Sequence, residues 1–274
     1  AKNILKHKNK LFVIANKNRK PIEKIVNDGA EEVKSFEDFA DKNLDALFMC
    51  VTNTPIAKSI SEKISAILND KTIIIDITTH NKTGSIETEA IFKKNNINYV
   101  ECPVMGGPVQ AEEGILGGIV GASDESFKIA EPYFKIFCKE YFHFGTVGMG
   151  AKSKLLNNFL SLGNAALVNH LAKSATEMGL DLKKVFDVAK LGSGNSAALN
   201  RVFDNLLKGD FTGFKFTASN SVKDLTYIQD LLKDFPEAEK VAEVNKNYFQ
   251  KAVDDGFGEN FISCLLYTSD AADE

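Results

Sequence analysis

The 274-residue sequence is short of several things, and each shortage removes a class of protein. Its four cysteines, Cys50, Cys102, Cys138 and Cys264, stand far apart with no C-x-x-C pair. That spacing excludes a disulfide frame and a zinc ribbon, leaves no metal site to expect, and suits reduced thiols in a cytoplasmic protein. No apolar run approaches the roughly 20 residues of a membrane span, and no signal peptide opens the chain. Charge of neither sign is concentrated: 33 basic and 37 acidic side chains are interleaved to a net −4, so neither nucleic acid nor a membrane surface is an expected partner. Internal repeats and low-complexity linkers are missing as well.

Two further absences concern the ends. The chain opens "AKNILKHKNKLFVIAN" without an initiator methionine, in what reads as the back half of an amphipathic helix. It is therefore expected to be an N-terminally incomplete piece. After Ser263 the text "CLLYTSDAADE" changes character and resembles the translated adapter tails of assembled reading frames, so residues 264–274 are expected to be foreign to the fold.

What is present alternates. "LFVIA" (11–15), "ALFMCV" (46–51), "TIIID" (72–76) and "INYVECPV" (97–104) are strand-like, rich in β-branched and aromatic residues. "KPIEKIVNDGAEEV", "TPIAKSISEKISAILND" and "SIETEAIFKKNN" lie between them and read as helices; Pro21 suits a first turn and Gly29 a C-terminal cap. This alternation predicts an α/β domain of right-handed βαβ units on a parallel, Rossmann-like doubly wound sheet over residues 1–147, with "ILGGIVGA" and "YFHFG" adding strands. From 148 to 263 the period changes. One helix is expected over 151–180, apolar on several faces, followed by helices at 181–192, 195–208, 218–234 and 236–255: an all-α domain opened by a long helix.

The junction poses a chemical question. "GTVGMGAKSKLLNNF" (145–159) runs from a glycine-broken loop into a helix that opens with lysines, where the peptide dipoles disfavour them, and then carries paired asparagines among leucines. Lys154 and Asn158, four apart, share a helix face, and Lys152 points elsewhere. A half-buried lysine there suits proton transfer. A solvated lysine beside a helix cap is the other reading, and spacing alone leaves both open.

"GMGAKSKLLNN" (148–158) resembles the G-x-G-x-x-x-K-x-x-N-N signature of the β-hydroxyacid dehydrogenases, the family of 3-hydroxyisobutyrate dehydrogenase, tartronate semialdehyde reductase and the glyoxylate/succinic semialdehyde reductases. "DITTH" (76–80), "ECPVMGGPVQAEEGIL" (101–116), "SVKDLTYIQDL" (221–231) and "DDGFGENF" (254–261) resemble further family segments in the same order. The resemblance implies that Lys154 is the general acid/base and that Asn158 orients it. It implies that Thr78, with a hydroxyl where the family has serine, and the backbone of Gly106 and Gly107 hold a substrate carboxylate. Val51, Thr52, Asn53 and Lys223 would meet the cofactor, with Asp224 beside the last. These groups are expected to converge on one site. The implied partners are a small anionic hydroxy acid or semialdehyde, and further copies of the chain in a homodimer or homotetramer joined through the helical domain.

Several residues depart from the family pattern. Met105 replaces a serine and puts an apolar chain in the substrate pocket; Cys102 replaces alanine and reads as core. His80 reads as a loop residue. The family's opening strand and G-x-G-x-x-G turn are not in this chain, which leaves the strand edges near "LFVIA" and "ALFMC" facing a gap and predicts poor cofactor binding or none, and a polypeptide inactive as it stands. At the ribose position stands Asn16 rather than an acid, with Lys17, Arg19 and Lys20 following, which favours NADP over NAD as cofactor. The resulting expectation is an NAD(P)-dependent oxidoreductase interconverting a short β-hydroxy acid and its semialdehyde. Two alternatives are an imine reductase, against which Lys154 argues, and a non-catalytic dehydrogenase-like oligomerisation or recognition module, which fold alone does not exclude.

Overall fold

The computed structural model describes residues 1–15 and 18–266. Contacts divide the chain into two compact units, Ala1–Lys154 and Leu155 onward.

The first unit follows the α/β alternation expected. In chain order it contains α1 (Lys2–Lys6), β1 (Phe12–Val13), α2 (Lys20–Asn27), β2 (Glu31–Glu32), β3 (Ala46–Met49), α3 (Thr54–Ile64), β4 (Ile73–Asp76), α4 (Gly84–Lys93) and β5 (Tyr99–Glu101). Then come β6 (Val104–Met105), α5 (Pro108–Glu113), β7 (Leu116–Val120), α6 (Asp124–Phe137) and β8 (Cys138–His143). The helices start where the sequence supplies caps. Asn53 accepts from the Ile56 amide and Ser123 from the Ser126 amide, while Pro21, Pro55 and Pro108 occupy first turns, where no intrahelical partner is lost.

The strands form three sheets rather than one. β1 pairs with β2 and β3–β4–β5 form a second sheet, all parallel; in the third, β7 lies between antiparallel β6 and parallel β8. β1 and β3 each have a single strand partner among the described residues. The centre of the second sheet is dry: Ile73, Ile74 and Ile75 are buried and pack into cores with Val100, Phe134, Phe92 and Tyr99. A strand buried on both faces reads as an unbroken apolar run, which is why "TIIID" was legible. β2 was not: Glu31 and Glu32 have poor strand propensity and were absorbed into the preceding helix, yet Gly29 (φ +110°) ends α2 and frees them to pair with Phe12 and Val13.

The second unit is helical. Helix α7 (Met149–Glu177) begins in the first unit and runs for 29 residues. It is followed by α8 (Leu182–Leu191), α9 (Ala197–Leu206), α10 (Ala218–Leu231) and α11 (Pro236–Ala252). Asp181, Ser196 and Thr217 cap α8, α9 and α10. The core gathers Leu155, Leu162, Phe203, Leu225, Ile228 and Phe249. No helix of the described residues is long and apolar enough to cross a membrane, and no three potential metal ligands cluster there.

The expected end of the fold at Ser263 is corrected. A 3₁₀ turn covers Ile262–Leu266, the Cys264 thiol meets the Phe211 carbonyl at 3.0 Å, and Leu265 is buried in the helical core. Ser263 links the same two segments, accepting from the Phe214 amide and donating to the Phe211 carbonyl. Local composition changes at residue 264, but tertiary packing continues past it. Residues 267–274 of the expected foreign tail lie outside the described residues. Leu265→Ala should therefore destabilise the protein by about 2–3 kcal/mol in urea unfolding, as for other buried leucines; a change within about 0.5 kcal/mol would return Leu265 to the tail.

Candidate active site

Two buried carboxylates organise the carboxyl end of the β3–β4–β5 sheet. Asp76 ends β4, Glu101 ends β5, and the two are direct partners in the parallel register, so their side chains leave the same face. Both are fully buried.

Asp76 collects three donors: the Thr78 amide (2.9 Å), the Tyr99 hydroxyl (2.9 Å) and His80 Nε2 (2.8 Å). On its other side the His80 ring reaches Thr54 Oγ1 at 3.2 Å, and Thr54 accepts from the Asn81 amide. These partners suit the Nε2–H tautomer, donating to Asp76 and accepting the Thr54 hydroxyl proton at Nδ1. His80 lies in the loop after β4, as expected, and there it is a buried tie to the start of α3. Burial, with Asp76 and Glu101 nearby, holds the Tyr99 hydroxyl well above its ordinary pKa, so it remains a donor.

Glu101 faces the start of α7. Its Oε1 accepts from the amides of Gly148 (2.6 Å) and Gly150 (2.8 Å), two of the donors that a helix start leaves without intrahelical partners. The approach depends on glycine: a Cβ on Gly121 would collide with Oε1, and one on Gly150 would lie 3.0 Å from it. Burial raises the Glu101 carboxyl above its ordinary pKa, while the Ser85 hydroxyl and the amides of Gly148, Gly150 and Ala151 oppose that shift.

The residues singled out in the sequence fall around this frame. Thr78 is buried; its Oγ1 accepts from the Val51 amide at 3.2 Å, bringing two expected site residues together and leaving the threonine proton to donate. Thr52 is exposed beyond it, and Asn53 is the cap of α3. Gly106 takes φ +113°, and a Cβ there would also press on Leu116 and Gln110. The Gly107 amide donates to Gln110 Oε1 at 2.9 Å. Half-buried Lys154 donates to the Val104 carbonyl at 2.8 Å, with Met105 Sδ 3.6 Å from its Nζ.

One turn along α7, within the second unit, Asn158 donates through Nδ2 to Asp224 Oδ2 at 2.7 Å. Asp224 is buried and pairs through its other oxygen with Lys223 at 3.0 Å; the Lys223 ammonium also sits over the Tyr227 ring. Arg19 is engaged by both oxygens of Glu32. Asn16 and Lys17 lie outside the described residues.

With this geometry in view, the similarities to known proteins can be stated. Residues 1–147 match the family model of the NAD binding domain of 6-phosphogluconate dehydrogenase, and residues 148–265 that of the NAD-binding domain of NADP-dependent 3-hydroxyisobutyrate dehydrogenase. The chain belongs to the β-hydroxyacid dehydrogenase family. Among curated relatives, 2-(hydroxymethyl)glutarate dehydrogenase of Eubacterium barkeri is 26% identical over 193 residues, 69% of this chain and 64% of its own length, just under two thirds. L-Threonate dehydrogenase of Haemophilus influenzae is 23% identical over 254 residues, 89% of this chain and 82% of that one. The crystal structure of a 3-hydroxyisobutyrate dehydrogenase from Salmonella typhimurium superposes with a TM-score of 0.86 at 22% identity, covering 97% of this chain and 93% of that one; this likeness is one of fold.

The family motif located the α7 lysine but passed over Glu101 and the Asp76–His80 tie. The available signal for Glu101 was an acid closing the otherwise apolar strand "INYVE". Its raised pKa gives a test. Between the ordinary glutamate value and the raised one, the native state holds more protons than the unfolded chain, so this group's contribution to stability falls as pH rises through that window. Glu101→Gln should remove that part of the slope in urea unfolding measured from about pH 4 to about pH 8. An unchanged profile would mean that Glu101 titrates as an ordinary carboxylate.

Proposed function

We propose that the protein is an NAD(P)-dependent dehydrogenase or semialdehyde reductase acting on a short β-hydroxy acid, with Lys154 as its general acid/base. The observation that carries the reading is Lys154 itself. It is half-buried, its ammonium is held on the Val104 carbonyl, and it lies one turn from Asn158 on a single helix.

The residues present fit a nicotinamide dinucleotide at the carboxyl end of β3. There the exposed Thr52 precedes the N-terminus of α3, beside the Val51–Thr78 contact, and such strand ends with a helix start suit nucleotide ligands. Val51, Thr52, Asn53 and Lys223 would hold the cofactor, which when bound supplies the hydride acceptor or donor. Lys154 would take the substrate hydroxyl proton during oxidation and return it during reduction. The Thr78 hydroxyl and the backbone at Gly106 and Gly107 would receive the carboxylate; the Gly107 amide would exchange Gln110 for it. Asn158, with one Nδ2 proton on Asp224, would offer its second Nδ2 proton and its carbonyl oxygen. Orientation of the two reactants by these groups accounts for much of the expected rate.

NADP is favoured over NAD on the sequence at Asn16, where no acid stands to repel a 2′-phosphate, with Arg19 nearby; Glu32 now occupies that guanidinium and would have to yield it. The helical unit would serve self-association, supported by the exposed Leu160 and Leu167 on α7. Lys154 also speaks against the imine reductase reading, because that class replaces it.

In a version carrying the family's opening strand and glycine turn, Lys154→Ala should lower turnover of a β-hydroxy acid by about 10²–10⁴-fold with cofactor affinity little changed, while Lys152→Ala stays near the unsubstituted protein. Equal activity of the two variants would sink the assignment and raise the non-catalytic scaffold reading. In that same version Asn16→Asp should move the ratio of kcat/KM for NADP over NAD toward NAD; a ratio that stays put would mean residue 16 is not the ribose position.

A further inference from the structure

We infer that Glu101 is a positioning residue: its carboxylate fixes the first turn of α7 and thereby sets where the Lys154 ammonium stands. The inference deepens the proposed function, and its kinetic part rests on that reading.

Residues 101–105 and 148–154 are joined twice. Glu101 Oε1 takes the Gly148 and Gly150 amides, and three residues beyond Glu101 the Val104 carbonyl takes the Lys154 ammonium. A helix start followed by one turn is stiff, so fixing its first amides fixes the lysine four residues on, and the Val104 contact completes the loop. The Glu101 bonds are charge-assisted and lie out of water, where such bonds are at their strongest. Nothing else in the frame can replace the carboxylate. Gly121 and Gly150 leave a space in which an added Cβ would meet Oε1, so the acid and the two glycines fit only together.

Burial of an acid at this depth has no packing advantage, since an apolar side chain of similar volume is often neutral or stabilising in such a place. The contacts that Glu101 makes are backbone donors of one turn, and that turn leads to the lysine. Asp76 does the corresponding job next door, holding the Thr78 amide, but it has Tyr99 and His80 to share the load. Glu101 faces the helix start, with Ser85 as its side-chain neighbour.

The test compares wild type with Glu101→Gln, which keeps the shape and removes the charge, by backbone amide hydrogen exchange and steady-state kinetics. Exchange of the amides from 148 to 154 should accelerate about tenfold or more, with strands β3, β4 and β5 unchanged. For a β-hydroxy acid substrate, kcat should fall about tenfold while KM stays within about twofold, the pattern of a misplaced acid/base rather than lost binding. Gly121→Ala, which displaces the same carboxylate from a different strand, should reproduce both effects, and it decides the question if Glu101→Gln does not fold. Exchange that is unchanged, or that rises uniformly over the whole unit, would overturn the inference, as would a rise in KM at constant kcat. Should Lys154→Ala prove as active as wild type, the proposed function fails, and the exchange measurement still decides whether Glu101 holds the turn.

Discussion

Two carboxylates removed from water stand side by side where β4 and β5 end, and most of what makes the first unit a site depends on how each is neutralised. Bringing an ionised carboxylate into a protein interior costs several kcal/mol unless donors surround it. Asp76 is surrounded by a hydroxyl, an imidazole and an amide; Glu101 has the amides of a helix start on Oε1, while its Oε2 is buried without a hydrogen-bond partner among the described residues. Because each set of donors belongs to a different loop, satisfying the charges also pins the loops. The segment carrying Thr78 closes on Asp76, α3 is tied in through His80 and Thr54, and α7 closes on Glu101.

The division of labour between local and long-range information explains what the sequence made legible. Helix α7 was readable because its pattern is continuous and needs only local hydrogen bonds. β4 was readable because three successive isoleucines are buried on both faces. β2 was not, since nothing local favours a strand at Glu31–Glu32; its only support is pairing with β1 some twenty residues earlier. Leu265 was misjudged for the same reason, its partners being the helices of the second unit rather than its neighbours in sequence. Of the candidate site, Lys154, Asn158, Thr78 and Gly106 came from a motif, and the structure gives each a polar partner or a backbone requirement. Glu101 lies 47 residues from the Gly148 amide it holds, a relation no window of sequence can express.

The structure also revises the character of some of these residues. Asn53 was expected as a cofactor contact; its Oδ1 caps α3, which leaves its Nδ2 and its backbone as the groups to offer. The backbone of Gly106 and Gly107 was expected to hold a carboxylate; the Gly107 amide is held by Gln110 within the first turn of α5. Asn158 gives one Nδ2 proton to Asp224, which leaves its second Nδ2 proton and its carbonyl oxygen to meet a ligand. In each case a ligand would exchange with an internal partner or meet the opposite end of the group. The hydrogen bonds that keep the unliganded chain satisfied therefore also fix the chemistry a ligand must bring.

Met105 completes this argument. Its sulfur lies 3.6 Å from the Lys154 ammonium, and a thioether is at best a weak acceptor. The strong partner of the ammonium is the Val104 carbonyl, on the one side that Glu101 and the helix start have already fixed. A hydroxyl at position 105 would be a stronger acceptor than this sulfur. With methionine there the ammonium has the Val104 carbonyl as a polar anchor and a largely apolar side chain beside it. Glu101 at the end of β5 and Met105, a methionine where the family has serine, thus bear on the same side chain: one through the helix start that carries the lysine, the other as a weakly accepting neighbour of its ammonium.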